Sequence, residues 1–483
     1  MKPSALIRLA MACIVLCSVV LFSCEQVPTV SSTNAQVPLA GANAQFVKAV
    51  ATDTGIVARD KLITFYSGLN NPYFIAGAEN ESYLYLEAKA AKYVPPANKQ
   101  RTPLNISLVI DRSGSMAGDK IDYVRRAANF VVDNLGSEDV FSIVIYDDAI
   151  ETLVSPGKLQ DKNSVKNKIN GISSRGSTNL CGGMMEGYEQ VKKTYKSGYV
   201  NRVLLLTDGL ANQGIVDPER IMQIARNMNL EHGITISTFG VGADFNENLL
   251  TGIAEYGSGN YYFIGSPDEI PRIFERELKG LLAVVAQNMK LTITLEQTVT
   301  VRQVFGYKYE QSGNTITIAF RDVYSEETKA VLLKVVVPGN AQATVALTAT
   351  LEYDDATDAF KHKVLETTSI VTATTDRAMQ EKFYSERVVQ QVTLFESNDM
   401  LESAMKAVDD GKYEEAREYV SRNDSYLKKQ FESITPTEEL LKQDSVNTKY
   451  KEKIVDVESM NEYDKKMMQK GEKSSNYEIR KKK

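Results

Sequence analysis

The chain is predicted to be an α/β protein: a doubly wound, mostly parallel sheet flanked by an antiparallel β-sandwich, with a helical segment at the C-terminal end. Three observations carry this expectation. Between residues 104 and 282, apolar runs at 106–110, 141–146 and 203–206 alternate with stretches of helical spacing at 121–135, 180–195 and 221–230. Strands apolar on both faces and separated by helices need cover on both sides, which is the demand of a parallel sheet in an α/β domain. Outside that region the pattern turns to strict alternation with Gly, Pro and Asn turns, as at 291–295, 315–320 and 331–337, and alternation with such turns points to antiparallel sheets. Finally, 483 residues with 43% hydrophobic and 24% charged content suit two or three folded domains.

Residues 1–23 have the layout of an export signal. Lys2 and Arg8 precede an apolar stretch at 9–22, and no acidic residue comes before Glu25. The stretch is short for a spanning helix, which needs about 20 apolar residues; an uncleaved membrane anchor is the competing reading. Its ending, Leu21-Phe22-Ser23-Cys24, resembles the lipobox of bacterial lipoproteins. That resemblance implies lipidation of Cys24 as the first mature residue and a stable membrane tether, because several acyl chains hold where one alone binds marginally. Cleavage removes Cys13 and Cys17, leaving Cys181 beside Cys24 and no disulfide framework. Losing Lys2 and Arg8 moves the net charge from −6 to −8. With no strongly basic domain, nucleic acid is excluded as the expected partner.

Residues 24–45 are small and polar, a flexible tether. Residues 46–103 form a β segment with runs at 62–66 and 83–88, a candidate to complete the later sandwich with the α/β domain inserted between its parts. The α/β domain takes residues 104–282 and the sandwich 283–375. Residues 376–432 are expected to be a helical hairpin turning at Asp409-Asp410-Gly411. The stretch 411–416 resembles part of a tetratricopeptide-type hairpin, but no 34-residue repeat accompanies it, and a helical pair packed on the sandwich is the simpler expectation. Residues 433–483 are expected to be a charged, flexible tail, ending in the solvated basic run Arg480-Lys481-Lys482-Lys483.

The chemistry concentrates at the expected strand ends of the α/β domain. The first strand leads into Asp111-Arg112-Ser113-Gly114-Ser115-Met116, and ligand sites in such sheets form at the carboxyl ends of strands near a topological switch point. A carboxylate and two hydroxyls at alternate positions can converge on one point. Hard oxygen donors of this kind suit a hard divalent cation. Thr178, in the loop Gly176-Ser177-Thr178-Asn179, and Asp208, directly after the apolar run at 203–206, fall on the same rim.

Asp111, Ser113, Ser115, Thr178 and Asp208 together resemble the metal-ion-dependent adhesion site (MIDAS) of von Willebrand factor A domains, across residues 104–282. The resemblance implies that the serines and the threonine bind one divalent cation directly or through water, with the aspartates acting through water or hydrogen bonds. Mg²⁺ is the first expectation, with Mn²⁺ or Ca²⁺ as alternatives. It also implies a function in adhesion, an Asp or Glu carboxylate of a protein partner filling an open coordination position, and no enzymatic activity. The domain order resembles inter-α-trypsin-inhibitor heavy chains and related secreted proteins. The expected location is the bacterial envelope, outer membrane or cell surface, with membrane contact through the lipidated N-terminus. The oligomeric state stays open.

Two other function classes compete: an envelope scaffold or assembly factor in which the metal is only structural, and a metal-assisted hydrolase, disfavoured by the lack of an obvious general base. Several further residues have plain structural readings. Asp147-Asp148 is expected to be a solvated strand-end pair rather than a second cation site. Asp217-Pro218 opens a helix as N-cap and first position. Cys181 is expected to be a small buried residue, although a helix N-terminus can lower a thiol pKa, and His232 ends a helix before Gly233.

Overall fold

The computed structural model describes residues 45–47, 49–52, 55–94, 101–341 and 343–482. The export signal, Cys24 and all of the expected tether except Gln45 lie outside the described residues. Six strands precede residue 101 in the described chain: β1 (Gln45–Val47), β2 (Val50–Thr52), β3 (Gly55–Arg59), β4 (Ile63–Leu69), β5 (Tyr73–Ile75) and β6 (Asn80–Ala90).

The next stretch alternates strand and helix. It runs β7 (Leu104–Asp111), α1 (Asp119–Asn134), β8 (Val140–Tyr146), β9 (Ile150–Lys158), α2 (Lys162–Asn170), α3 (Leu180–Lys193), β10 (Val200–Thr207), α4 (Pro218–His232), β11 (Thr235–Val241), α5 (Glu247–Tyr256), β12 (Tyr261–Ile264) and α6 (Ile270–Leu282). The sheet order is β12-β11-β10-β7-β8-β9, parallel throughout except for the antiparallel pair β8–β9. Every residue of β7, β8, β10 and β11 is buried, as expected of strands covered on both faces. From β7 the chain steps to β8 on one side and later to β10 on the other, which puts the switch point at the carboxyl ends of β7 and β10. The periodicity does not reveal β9 or α2: β9 is an edge strand with no buried residue, carrying Pro156 and Gly157, and such positions tolerate proline.

After the α/β domain come β13 (Val284–Leu295), β14 (Thr300–Phe305), β15 (Glu310–Ser312), β16 (Thr315–Tyr324), β17 (Thr328–Val337), β18 (Thr344–Asp355) and β19 (Lys361–Thr374). One sheet has the order β1-β19-β18-β13-β16-β15, with β5 also on β19, and the other β14-β17-β6-β4-β3-β2. β6 pairs antiparallel with β17 from Asn80↔Val337 to Lys89↔Thr328. Segments on both sides of the α/β domain therefore build one sandwich. Its core includes Phe65, Leu84, Leu291, Ile293, Leu333 and Leu351.

The C-terminal region corrects the expected hairpin and flexible tail. After the short α7 (Arg377–Lys382), α8 (Glu386–Asp409), α9 (Tyr413–Phe431), α10 (Glu438–Lys453) and α11 (Glu462–Arg480) pack together around Leu401, Val420, Leu440 and Tyr450. Their seam is filled with amides as well as aliphatic groups, which explains why no clear apolar face is legible in the sequence. Asn398 Nδ2 donates to Asn476 Oδ1 at 2.7 Å, Asn423 Nδ2 to Asn447 Oδ1 at 2.9 Å, and Tyr450 Oη to Gln469 Oε1 at 2.6 Å. Paired amides are tolerated in a core where unpaired ones are costly; the Asn423–Asn447 contact still leaves Asn423 Oδ1 and Asn447 Nδ2 buried without a partner among the described residues. Nor are the described residues of the basic run, 480–482, solvated as expected: Lys481 is 6% exposed, and its ammonium donates to Gly306 O at 2.8 Å and lies 3.3 Å from Glu255. α8 lies on the outer face of the sandwich through Val388 and Phe395 against Tyr85 and Leu332, whereas Tyr477 of α11 joins the core of the α/β domain. Among the described residues no helix is long and apolar enough to cross a membrane.

Candidate metal centre

At the end of β7 the chain leaves the sheet through the short 3₁₀ turn Gly114–Met116. Met116 is fully buried and pins that turn to the core. Asp111 is fully buried as well; its Oδ1 accepts from Ser113 N at 2.8 Å and its Oδ2 from Thr207 Oγ1 at 2.6 Å. Burial pushes its carboxyl up to about 6 against these hydrogen bonds, and neighbouring Asp208 adds to the rise. Ser113 Oγ and Ser115 Oγ lie 3.1 Å apart, and Ser115 Oγ donates to Asp208 Oδ1 at 2.8 Å.

Thr178 is held from behind. Its N–H donates to Asn212 Oδ1 at 2.8 Å, while its carbonyl accepts from the Asn212 and Gln213 amides at 3.1 and 3.2 Å. The loop carrying it docks on the first turn through Gly114 N to Gly176 O at 3.0 Å. Gly176 has φ +72°, a backbone conformation that side chains rarely adopt, and a Cβ there would press on Asp148 and stand 3.1 Å from Asp147 Cβ, so the loop turns here on a glycine. At Gly209 a Cβ would stand 3.2 Å from Thr178 Oγ1 and 3.5 Å from Ser115 Oγ. The missing side chain thus keeps open a space bordered by both hydroxyls. The structure therefore brings Asp111, Ser113, Ser115, Thr178 and Asp208 to one place. Ser115 is exposed and the other four are buried, so the cluster opens to solvent on one side. Two fully buried carboxylates among hydroxyl oxygens form a donor set that fits a hard divalent cation.

Asp147 is not the solvated residue expected. It is 1% exposed, and its Oδ2 accepts from both Arg112 Nε and Arg175 Nε at 2.9 Å. Burial opposes its charge, but the hydrogen bond from Arg175 and the positive charge of Arg112 outweigh it and hold the carboxyl below its usual range. Since Arg112 leaves β7 and Arg175 opens the Thr178 loop, Asp147 ties together the two loops that present the hydroxyls. Asp148 is exposed. Cys181 is buried, and burial raises its thiol pKa, so the helix N-terminus does not activate it.

Sequence reasoning passes over Lys120, on the first turn of α1. Its ammonium lies 2.5 Å from Asp208 Oδ2 and 3.7 Å from Asp244 Oδ2. No local pattern marks it, because lysine on an amphipathic helix reads as a solvated face.

Residues 105–276 match the family model for the von Willebrand factor type A domain. The Escherichia coli (strain K12) protein described as uncharacterized protein YfbK is 32% identical over 210 residues, 43% of this chain and 36% of that protein. Inter-alpha-trypsin inhibitor heavy chain H3 of Rattus norvegicus is 30% identical over 218 residues, 42% of this chain and 23% of its own length. The matches thus span about a quarter to a third of these curated relatives. Among solved structures, a von Willebrand factor type A protein from Catenulispora acidiphila aligns with a TM-score of 0.63 at 16% identity, over 82% of this chain and 92% of that one. The ArnB paralog VWA2 from Sulfolobus acidocaldarius gives 0.58 at 17%, over 87% and 98%. Both likenesses are of fold, and they extend well beyond residues 105–276, the stretch that matches the von Willebrand factor type A domain model.

Proposed function

We propose that this von Willebrand factor type A domain is a divalent-cation-dependent adhesion module, presented from the bacterial envelope by lipid on Cys24. The gathering of five oxygen-bearing side chains at one strand edge, with Ser115 and Thr178 bordering the space beside Gly209, carries the reading. Ser113, Ser115 and Thr178 would hold the ion, with Asp111 and Asp208 behind them, and Mg²⁺ is the first expectation. When bound, the ion supplies an electrophilic centre for an Asp or Glu carboxylate of a protein partner. Exposed Ser115 marks the side from which that carboxylate would approach.

The chain's own residues support binding rather than turnover. Both oxygens of Asp111 are engaged by Ser113 N and Thr207 Oγ1, and those of Asp208 by Ser115 and Lys120, which leaves neither carboxylate free as a general base. The loops are already tied by Asp147 with Arg112 and Arg175, so a purely structural role for the metal is the weaker reading.

Calorimetry of the full chain with Mg²⁺ and with Mn²⁺ tests the proposal, beside a Ser113→Ala/Ser115→Ala variant. One ion bound by the parent and none by the folded variant is the expected result. Equal binding by both proteins moves the ion elsewhere and overturns the reading.

A further inference from the structure

We infer that Lys120 is a resident cation that shares Asp208 with the divalent ion, and that Asp244 is where its ammonium goes when the ion binds. The inference rests on the reading of the site as a cation site. Asp208 is fully buried, and a buried carboxylate with only hydroxyl partners is costly. The Lys120 ammonium meets that need at 2.5 Å.

The approach of Lys120 is built into the fold. Gly242, at the end of β11, has φ +75°, and a Cβ there would stand 3.1 Å from Lys120 Cε, so the glycine leaves room for the lysine stem. Asp244 is exposed, with Oδ2 3.7 Å from the same ammonium. Small rotations about the long lysine side chain therefore exchange one carboxylate for the other. Lys466 of α11 lies 3.3 Å from the other oxygen of Asp244, and its neighbour in the helix, Lys470, donates to Phe245 O at 2.8 Å. The C-terminal bundle thus holds the loop that receives Lys120.

Two charges of like sign beside one carboxylate repel each other, so Lys120 lowers the affinity of the site for a divalent ion while making the metal-free protein stable. Removing its charge should do the reverse. In Lys120→Met, Mg²⁺ affinity by calorimetry is expected to rise on the order of tenfold. The melting temperature without metal is expected to fall and to be restored by Mg²⁺. A merely structural lysine would lower the melting temperature whether or not metal is present. Asp244→Asn should weaken Mg²⁺ binding in the parent and have no effect in the Lys120→Met background, because its influence passes through Lys120.

The outcomes separate the two readings. Tighter binding in Lys120→Met, or binding there when the parent shows none, supports the inference. Equal Mg²⁺ affinity in parent and Lys120→Met overturns it and leaves the metal site standing. Binding by neither protein overturns both. An Asp244→Asn effect that persists in the Lys120→Met background overturns the role given to Asp244.

Discussion

Arg202 on β10 shows how one residue can join two layers. It is 1% exposed, and its guanidinium donates to Thr235 Oγ1 at 2.9 Å, to Ser237 Oγ at 3.2 Å and to Glu277 Oε1 at 2.8 Å, while Asp322 of the sandwich lies 3.5 Å away. A fully buried arginine survives only with its charge matched and its donors used, and taking it away strands the carboxylates in a low dielectric. Arg202→Met is therefore expected to cost about 3–5 kcal/mol, measured as a shift in the urea midpoint. Asp147 obeys the same logic beside the candidate metal centre. In both cases the sequence offers a strand or strand-end position but no sign of the partner, which lies 75 residues away for Glu277 and 35 for the Arg112–Asp147 pair.

At the scale of elements, α11 departs furthest from expectation. Composition makes 433–483 look like solvated tail, yet this helix buries Gln469, Asn476, Tyr477 and Ile479. Tyr477 stands edge-on to Tyr261 of β12 with ring centroids 5.7 Å apart, and Lys470 holds the loop after β11. Ending the chain after residue 460 removes these contacts and uncovers Phe245 and Tyr261. The expected loss is at least about 3 kcal/mol in chemical denaturation, with new proteolytic cleavage in 242–246. A tail without packing would leave both unchanged. By contrast, the buried strands and most helices of the α/β domain are legible in the sequence, because burial on both faces forces a continuous apolar run; the edge strand β9, which has no buried residue, is not.

For the whole molecule the decisive junction is Glu255. It sits on α5 of the von Willebrand factor type A domain and meets Arg480 of α11 at 2.9 Å, Lys481 at 3.3 Å and Lys308 of the sandwich region at 3.9 Å. Burial alone would raise its pKa; Lys481, Arg480 and Lys308 overcome this and hold it down to about 2. A carboxyl with a lowered folded pKa contributes stability that is complete above its unfolded value of about 4.3 and is lost as pH falls toward the folded value. That contribution is on the order of 3 kcal/mol. The parent's urea midpoint should therefore fall between about pH 4.5 and 2. Glu255→Gln should begin lower at pH 7 and lose less over the same interval.

By itself the sequence determined the α/β alternation, the alternating strands of the sandwich and the five oxygen-bearing positions of the candidate metal centre. These are local properties: burial periodicity, turn chemistry, and the placing of short motifs directly after apolar strands. Only the tertiary structure decided that the segments on both sides of the inserted domain share one sandwich, that the C-terminal residues are a packed bundle, and that Lys120 stands between Asp208 and Asp244. Each of these depends on which distant residue meets which, and a charge or an amide carries no mark of its partner along the chain. Asp208 and Lys120 are 88 residues apart; the sheet brings them within hydrogen-bonding distance because β7 and β10 are neighbours and end at the same edge.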